Sequence, residues 1–215
     1  MSIKTKFENS KLYCVTQEPP KGMSYSEIVE LACKGGADIV QLREKKLSAK
    51  NLAALAKDLK EVCHRYGALF IVNDFLEVAL TCGADGVHLG QKDLSLLEAK
   101  KIVGQREFLI GCSTHSLEQA LRAEELGVDY VACGPVFSTP TKPGTPAVGL
   151  DLVKKYFEFV HTPFVAIGGI DSENIENVLH AGAKRVAVVR AVFGTPNIEE
   201  SARSLKEKIY ENQYR

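Results

Sequence analysis

Three polar residues at alternate positions, Gln41, Arg43 and Lys45, end a short apolar run and have the chemistry of an anion site. Because the side chains of a strand alternate between its two faces, these three share one face, whereas Leu42 and Glu44 lie on the other. Arginine offers a phosphate two parallel N–H donors, and lysine offers a point charge. Two ordinary solvated charges are the alternative, but an arginine that faces a barrel interior requires an anionic partner.

Two carboxylates, Asp74 and Asp93, follow the next two apolar runs along the chain. Carboxylates at the tips of neighbouring strands are suited to one hard cation, and Mg²⁺ prefers a few carboxylates together with water and substrate phosphates. The alternative is that each Asp caps the amino end of the next helix. That role is less needed at Asp93, because Ser95 already offers a cap. The sequence therefore predicts a Mg²⁺ site at these two aspartates.

A glycine pair, Gly168-Gly169, ends the seventh apolar run, and Arg190 ends the eighth. In parallel barrels the loops after these two strands often bind phosphate through backbone N–H groups, and glycine allows close approach of the backbone. A tight turn is the alternative for the glycine pair. A lone histidine such as His115 is more often structural than catalytic. Polar residues also follow the third, fifth and sixth predicted strands, namely Asn73, Ser113, His115, Thr139, Thr141 and Lys142.

The elements that must position these groups alternate along the chain. Short β-rich apolar runs are followed by longer helical patterns, which indicates βαβ units and a parallel sheet. The predicted strands are Leu12–Thr16, Ile39–Arg43, Leu69–Asn73, Gly86–Leu89, Phe108–Ser113, Tyr130–Gly134, Phe164–Gly168 and Val186–Arg190. The predicted helices are about Ser26–Lys34, Ala49–Tyr66, Leu76–Cys82, Ser95–Val103, Leu117–Leu126, Asp151–Phe159, Glu173–His180 and Ile198–Tyr210. The Pro/Gly-rich stretch 138–146 lies outside them and is a candidate mobile lid.

A weak repeat favours a closed barrel over an open sheet. A glycine that ends a helix, a short loop and a strand recur before every second strand, at Gly36, Gly83, Gly127 and Gly182. An open doubly wound sheet, the rival fold, usually carries a glycine-rich loop after its first strand, where this chain has Gln17-Glu18-Pro19-Pro20. We predict an α/β protein with a (β/α)₈ TIM barrel, a parallel eight-stranded barrel forming a single domain over residues 1–215 with its core at about 12–210. The active site of such a barrel lies at the carboxyl ends of its strands.

Composition restricts the classes of partner. The 27 Lys and Arg residues balance 27 Asp and Glu, which argues against non-specific nucleic-acid binding. Six cysteines without C-x-x-C spacing predict reduced, buried thiols in a cytoplasmic protein. No apolar run reaches the roughly 18 residues of a membrane span, and the polar N-terminus lacks a signal core. We therefore expect small-molecule substrates, no nucleic acid and no membrane; a homo-oligomer is compatible with the sequence.

Six motifs, in order from about Leu12 to Phe193, resemble those of the thiamine-phosphate synthase family. Six motifs in register are far more specific than any one of them. They are Gln41-Leu42-Arg43-Glu44-Lys45, Val72-Asn73-Asp74, the segment 86–93 (GVHLGQKD), the segment 111–115 (GCSTH), the segment 134–142 (GPVFSTPTK) and Ala166-Ile167-Gly168-Gly169-Ile170.

The resemblance implies a Mg²⁺-dependent transferase on a (β/α)₈ barrel. It would join 4-amino-2-methyl-5-(diphosphooxymethyl)pyrimidine to 4-methyl-5-(2-phosphoethyl)thiazole, or to the carboxylated tautomer of that thiazole, giving thiamine phosphate and pyrophosphate. The implied ligands of the pyrimidine diphosphate are Gln41, Arg43, Lys45, Asn73, Ser113 and Lys142, of which Arg43, Lys45 and Lys142 are catalytic. The implied Mg²⁺ ligands are Asp74 and Asp93. The implied ligands of the thiazole phosphate are Thr139, Thr141, Gly169, Val189 and Arg190.

The implied mechanism is dissociative, so the protein neutralises the departing charge and aligns the nucleophile instead of supplying one. This agrees with the absence of an obvious protein nucleophile from the sequence. Two positions depart from the family pattern. Phe75 follows Asp74 where a second polar residue is frequent, and Arg190 stands where a small Ser is common, so its side chain would either add to phosphate binding or crowd the thiazole.

Three alternatives remain. A thiazole tautomerase of the same superfamily would not need the diphosphate and metal half of the site, and the presence of Lys45, Asp93 and Lys142 favours the synthase. A phosphate-binding isomerase or epimerase on the same barrel would use the two aspartates as acid and base. A catalytically silent paralogue would bind thiamine precursors and regulate, and the complete charged set argues against it.

Overall fold

The chain folds into a closed, all-parallel barrel, as predicted. A computed structural model describes residues 1–141 and 144–213, and in these residues eight strands pair in chain order, with β1 hydrogen-bonded to both β2 and β8. The strands are β1 Leu12–Val15, β2 Ile39–Leu42, β3 Leu69–Asn73, β4 Gly86–Leu89, β5 Leu109–Thr114, β6 Tyr130–Cys133, β7 Phe164–Ile167 and β8 Val186–Val188.

Every predicted helix is present, with shifts of a few residues at some ends. The helices of the described residues are α1 Ile3–Asn9, α2 Tyr25–Lys34, α3 Ala49–Arg65, α4 Leu76–Cys82, α5 Leu96–Val103, α6 Leu117–Glu125, α7 Gly149–Phe159, α8 Ile175–His180, α9 Arg190–Phe193 and α10 Ile198–Gln213. Helices α1 and α9 were not predicted. None of the helices in this part of the chain is both long and apolar enough to cross a membrane.

The prediction that the eighth strand extends to Arg190 is wrong. Strand β8 ends at Val188, Val189 leaves the sheet with φ −117° and ψ −82°, and Arg190 begins the short helix α9. The valine-rich apolar run from Val186 to Val189 predicts a longer strand than the barrel rim can pair. The last observed pairing of this strand joins Val188 to Cys14 of β1.

Side chains on the strands alternate between two separate cores. On β3, Leu69 and Ile71 pack inside the barrel, whereas Phe70 and Val72 pack outward under the helices. The same alternation on β2 places Ile39 inside and therefore directs Gln41, two residues later, to the interior. On the opposite face, Glu44 accepts a hydrogen bond from the Tyr25 hydroxyl of α2 at 2.5 Å.

Helix α1 closes the amino-terminal end of the barrel. Its Phe7 is 1% exposed and belongs to the interior core, with its ring stacked on Tyr130 at 4.5 Å between centroids. Arg185 donates hydrogen bonds to the carbonyls of Phe7 and Glu8. Lys4 forms an ion pair with Asp129 at 2.7 Å. The helix therefore caps the barrel as part of its packed interior.

Three of the four repeat units carry a carboxylate clamp at this end of the barrel, and the fourth has Lys184 at the corresponding position. Asp38 accepts hydrogen bonds from the backbone N–H of Leu12, Asp85 from that of Phe70, and Asp129 from that of Ile110. Each Asp precedes an even-numbered strand and binds the start of the strand before it. Because the first N–H groups of these strands are removed from water, each carboxylate satisfies a buried donor.

All six cysteines are buried free thiols in the described part of the chain. This agrees with the prediction of reduced thiols. Burial raises the pKa of Cys112 and of Cys133 to about 12, so both stay protonated at neutral pH.

We predict that Asp85→Ala lowers the free energy of unfolding by about 1–3 kcal/mol, because the N–H of Phe70 loses its acceptor at a site that water does not reach. Chemical denaturation followed by circular dichroism measures the change. Asp58→Ala, at an exposed position of α3, is the control and should shift the midpoint little. Equal stability of the two variants would contradict the clamp.

Candidate active site

A cavity of about 290 Å³ opens at the carboxyl ends of the strands. This is near the lower end of the roughly 300–1,000 Å³ typical of small-ligand pockets, which suits small molecules. Most of the predicted site residues line it, namely Gln41, Arg43, Asn73, Ser113, Thr139, Thr141, Gly169, Val189 and Arg190. Lys45, Asp74 and Asp93 are not part of the cavity wall. The predicted site residue Lys142 lies outside the described residues.

The cationic side of the site contains a guanidinium with no acidic partner. Strand β2 ends at Leu42, and the backbone N–H of Arg43 donates to the Thr16 hydroxyl at 2.9 Å, which fixes the start of the loop. Within residues 1–141 and 144–213, no carboxylate pairs with Arg43. Lys45 is more exposed, and its ammonium lies 3.6 Å from Asp74. Arg43 is therefore available to an anion that enters the cavity.

Asp74 and Asp93 meet beside this cationic group. Burial, together with the neighbouring carboxyl group of Asp93, raises the pKa of Asp74 to about 6. The N-cap residue is Phe75 for α4 and Ser95 for α5, so neither aspartate is an N-cap. The alternative capping roles are thereby removed, and the pair remains a compact acidic group that could hold a hard cation.

Backbone geometry holds both aspartates in place. Asp74 has φ +66°, and its N–H donates to the carbonyl of His88 at 2.8 Å, which ties the end of β3 to β4. Asp93 accepts a hydrogen bond from the N–H of Gly90 at 2.6 Å. A left-handed backbone at a non-glycine residue is uncommon and is most often tolerated by Asp and Asn. The chain turns sharply here, which directs the Asp74 carboxylate toward Lys45 and Asp93.

The opposite side of the cavity is formed by glycines. Gly168 and Gly169 have φ +104° and +65°, and a Cβ on Gly168 would lie 2.4 Å from Pro135. The carbonyl of Gly168 accepts a hydrogen bond from the N–H of Phe137 at 2.9 Å. The pair therefore allows the loop after β7 to pack on the loop after β6. The tight-turn interpretation is right for the local backbone, and it also brings Gly169 to the cavity wall.

Arg190 and the two threonines complete this side. Arg190 is an exposed residue at the start of α9 that also lines the cavity, and no carboxylate in the described part of the chain pairs with it. Thr139 accepts a hydrogen bond from the N–H of Thr141 at 3.3 Å, so the segment turns there. The candidate lid at 138–146 includes residues outside the described part and stays a prediction.

Sequence reasoning missed the residues at the floor of the cavity. Tyr13, His88 and Tyr130 line it, and none of the three is among the predicted site residues. Period-two alternation on β4 carries the missing signal, because Val87 and Leu89 pack outward and His88 must then face inward. His115 also lines the cavity, and its Nδ1 lies 2.5 Å from the carbonyl oxygen of Gly134.

The sequence model of a family described as thiamine monophosphate synthase matches residues 12–192. The chain belongs to this family. Thiamine-phosphate synthase of Gloeobacter violaceus is 48% identical over 191 residues, which cover 89% of this chain and 55% of that protein. Thiamine-phosphate synthase of Thermus thermophilus is 48% identical over 182 residues, which cover 84% of this chain and 87% of that protein. The chain thus spans little more than half the length of the first relative.

A solved structure supports the same membership. Thiamine phosphate pyrophosphorylase from Pyrococcus furiosus superposes with a TM-score of 0.88 at 36% identity, and the alignment covers 98% of each chain. The match to the thiamine monophosphate synthase family spans the barrel from β1 to α9. All the predicted site residues fall within this matched region.

We predict that Asp74 titrates near pH 6 in the metal-free protein, well above its ordinary value of 3.8. The raised pKa means that the folded chain binds this proton more tightly than the unfolded chain. The resulting stabilisation is complete below pH 3.8 and is lost as the pH rises through about 6. Carbon-13 NMR of the Asp74 carboxyl group, recorded in EDTA, measures the titration.

Asp93→Asn should lower the pKa of Asp74, because it removes the neighbouring negative charge. Asp151→Asn, at an exposed site on α7, is the control and should leave the titration of Asp74 unchanged. A wild-type Asp74 that titrates near 3.8 would show that the two carboxylates do not interact.

Proposed function

We propose that the chain is a thiamine-phosphate synthase, which joins the pyrimidine diphosphate to the thiazole phosphate and releases thiamine phosphate and pyrophosphate. The observation that carries the proposal is one cavity with Arg43, which has no carboxylate partner among the described residues, on one side and the loops of Gly169 and Arg190 on the other. The reaction has two anionic groups, a diphosphate and a monophosphate, on two small rings. A single cavity with an anion site at each side suits this pair of substrates.

The diphosphate is assigned to the side of Arg43, Lys45 and Asn73. Arg43 offers paired N–H donors to the phosphate oxygens, and Lys45 adds a positive charge next to Asp74. Lys142 lies outside the described residues, and its part in this site rests on the family motif alone. Cations that converge on the bridging and terminal oxygens lower the energy of the pyrophosphate as negative charge develops on it.

Asp74 and Asp93 would hold Mg²⁺. Partial burial and the neighbouring Asp93 raise the pKa of Asp74, and a divalent cation bound by these two residues would relieve the repulsion between their carboxylates. In the described residues no group of three or more His, Cys, Asp or Glu side chains is arranged for a metal. The remaining ligands would therefore be water and substrate phosphate oxygens, as is usual for Mg²⁺. When bound, Mg²⁺ supplies positive charge beside the departing pyrophosphate.

The thiazole phosphate is assigned to the opposite side of the cavity. Backbone N–H groups of Gly169, Val189 and Arg190 would bind its phosphate, and Thr139 and Thr141 would contact the thiazole. Because Arg190 has no carboxylate partner in the described part of the chain, its guanidinium adds to phosphate binding in this assignment. The thiazole ring nitrogen then lies between the two anion sites, on the side that faces the pyrimidine.

In the proposed reaction the bond from the pyrimidine methylene carbon to the diphosphate oxygen breaks first. The electron pair leaves with pyrophosphate, where Arg43, Lys45 and Lys142 stabilise it, and the 4-amino group stabilises the pyrimidine-methyl cation. The thiazole nitrogen then forms the new carbon–nitrogen bond. In this assignment the protein contributes alignment and charge, and no step uses a protein nucleophile.

The structure offers one observation against the tautomerase alternative. A tautomerase has no use for a diphosphate site, yet Lys45, two residues along the chain from Arg43, forms a charged cluster with Asp74 and Asp93, and no carboxylate pairs with Arg43 in the part of the chain that the structure describes. Such a cluster costs stability when its carboxylates are ionised, so its presence favours the synthase. A silent precursor-binding paralogue would keep the pockets and lack turnover, and the assay below separates it.

We predict that the purified chain with Mg²⁺ releases pyrophosphate from the pyrimidine diphosphate only when the thiazole phosphate is present. Arg43→Ala should lower kcat roughly 10²–10³-fold, because one donor to the developing charge is lost. A coupled pyrophosphate assay measures both effects. Arg65→Ala, an exposed change at the far end of α3, is the matched control and should retain wild-type rates.

Asp93→Asn tests the metal assignment in the same assay. It should raise the Mg²⁺ concentration required for half-maximal rate about tenfold. Even the loss of a group that only supports a metal ligand typically costs 10–100-fold in metal affinity. Asp58→Asn is the matched control. Full activity of the Asp93→Asn variant in EDTA would remove the metal claim, and binding of both substrates without product would favour the silent paralogue.

A further inference from the structure

A continuous line of hydrogen bonds crosses the floor of the cavity. Gln41 Nε2 donates to the Tyr13 hydroxyl at 2.7 Å, and that hydroxyl lies 3.0 Å from the hydroxyl of Tyr130. Tyr130 lies 3.1 Å from Nδ1 of His88, and Nε2 of His88 lies 2.9 Å from Oγ of Ser113. The line therefore joins two residues of the cavity wall, Gln41 and Ser113, through three buried side chains.

When Gln41 donates to Tyr13, every hydrogen bond in this line is donated in the same direction, from Gln41 toward Ser113. Tyr13 then donates to Tyr130, Tyr130 donates to Nδ1 of His88, and the Nε2–H of His88 donates to Ser113. Burial raises the pKa of both phenols, so each carries its single proton at neutral pH. In this state the Ser113 hydroxyl is free to donate to a ligand. Gln41 presents its Oε1 acceptor and its second N–H donor.

A half-turn of the Gln41 amide reverses the whole line. The amide is symmetric in shape, so rotation exchanges its acceptor and its donors with little steric cost. If Oε1 faces Tyr13, then Tyr13 donates to Gln41, Tyr130 to Tyr13, His88 to Tyr130 and Ser113 to His88. Ser113 then has no proton for a ligand. The orientation of Gln41 and the donor capacity of Ser113 are therefore coupled across the floor.

This coupling has a consequence for ring recognition. A 4-aminopyrimidine presents an N–H donor beside a ring-nitrogen acceptor, whereas its 4-oxo analogue presents an acceptor beside an N–H donor. A glutamine alone would read either edge by turning its amide. Here binding of the 4-oxo edge requires the turned amide of Gln41, which reverses every hydrogen bond in the line. Ser113 then donates to His88 and has no proton left for the second ring nitrogen of the ligand. The floor therefore discriminates between the two rings although Gln41 itself does not.

Tyr130, the middle of the line, is held from two sides. Its ring stacks on Phe7 of α1 at 4.5 Å between centroids and 29° between planes. On β5, a Cβ at Gly111 would lie 2.0 Å from Cζ of Tyr130, so only glycine leaves room for this ring. The helix that closes the lower end of the barrel thus fixes the residue that links Gln41 to Ser113.

We propose that Tyr13, Tyr130 and His88 are positioning residues that couple Gln41 to Ser113 and make the site select a 4-aminopyrimidine over its 4-oxo analogue, with Phe7 of α1 as the brace. This inference deepens the proposed function and rests on it, with the pyrimidine ring at Gln41 and Ser113, two residues that the family resemblance implies as ligands of the pyrimidine diphosphate. The line is distinct from the diphosphate contacts, because none of its members is Arg43 or belongs to the aspartate pair.

The test is calorimetric binding to the full chain in Mg²⁺ of three probes: the 4-aminopyrimidine diphosphate, its 4-oxo analogue and inorganic pyrophosphate. Tyr130→Phe removes the central hydroxyl and keeps the ring. We expect the ratio of the affinities for the amino and oxo probes to fall about tenfold, because without the Tyr130 hydroxyl the Gln41 amide and the Ser113 hydroxyl reorient independently of each other. We expect the affinity for pyrophosphate to change less than twofold.

Tyr156→Phe is the matched control. Tyr156 is also fully buried, and its hydroxyl donates to Thr114 at 2.8 Å, but it does not line the cavity. It should leave the amino-to-oxo ratio unchanged even if it lowers the melting temperature. Phe7→Ala should reduce the ratio in the same direction as Tyr130→Phe. If Tyr130→Phe does not fold, Tyr13→Phe breaks the line at the next hydroxyl and carries the same expectation.

The outcomes separate this inference from the proposed function. An unchanged amino-to-oxo ratio in folded Tyr130→Phe or Tyr13→Phe overturns the inference, whether or not the enzyme assay succeeds. A wild-type chain that binds pyrophosphate as tightly as the aminopyrimidine diphosphate also overturns it. Selective binding of the amino probe without product formation would instead refute the synthase and leave the coupled floor in place.

Discussion

Parallel hydrogen bonding around a closed barrel is the constraint on which the rest of the structure depends. Because all eight strands run in one direction, their carboxyl ends meet at one mouth, and residues far apart in the chain become neighbours there. Gln41 and Arg190 are separated by nearly 150 positions, yet both line the same cavity. The opposite end carries stability instead, through the clamps of Asp38, Asp85 and Asp129 and the plug of α1.

The charged groups at the mouth of the cavity include an arginine that no carboxylate of the described residues neutralises. Most surface cations of a folded protein have nearby carboxylates or full solvation, whereas Arg43 lines a cavity and has no acidic partner in the described residues. Asp74 instead lies 3.6 Å from Lys45, and Asp93 raises its pKa. In the proposed function this guanidinium would bind phosphate oxygens, and the acidic pair would bind a hard cation.

The sequence predicts the barrel well because its signals are local and repeated. Each strand is a short apolar run, each helix has an apolar period, and the residues at the strand ends can be read directly. Prediction failed where a signal was too short or ambiguous. Helix α1 has only seven residues, with Ile3 and Phe7 as its apolar contacts. The valine-rich run before Arg190 predicts a strand that the rim does not extend.

Prediction from the sequence was also limited for the functional residues at the floor of the cavity. An inward-facing tyrosine of a barrel strand reads as core from its sequence alone, and Tyr13 and Tyr130 do belong to the interior core. Their hydroxyl groups nevertheless join Gln41 to His88, a relationship between four different strands that no local pattern contains. Only the register of the closed barrel brings these atoms together.

The most direct measurement of the central claim is a crystal structure of the chain with Mg²⁺, pyrophosphate and thiamine phosphate. We expect pyrophosphate on Arg43 and Lys45 with the metal between Asp74 and Asp93. We expect the pyrimidine ring on Gln41 and Ser113, and the phosphate of the product on the backbone of Gly169 and Val189. Pyrophosphate bound away from Arg43, or the two phosphate groups in separate cavities, would contradict the account.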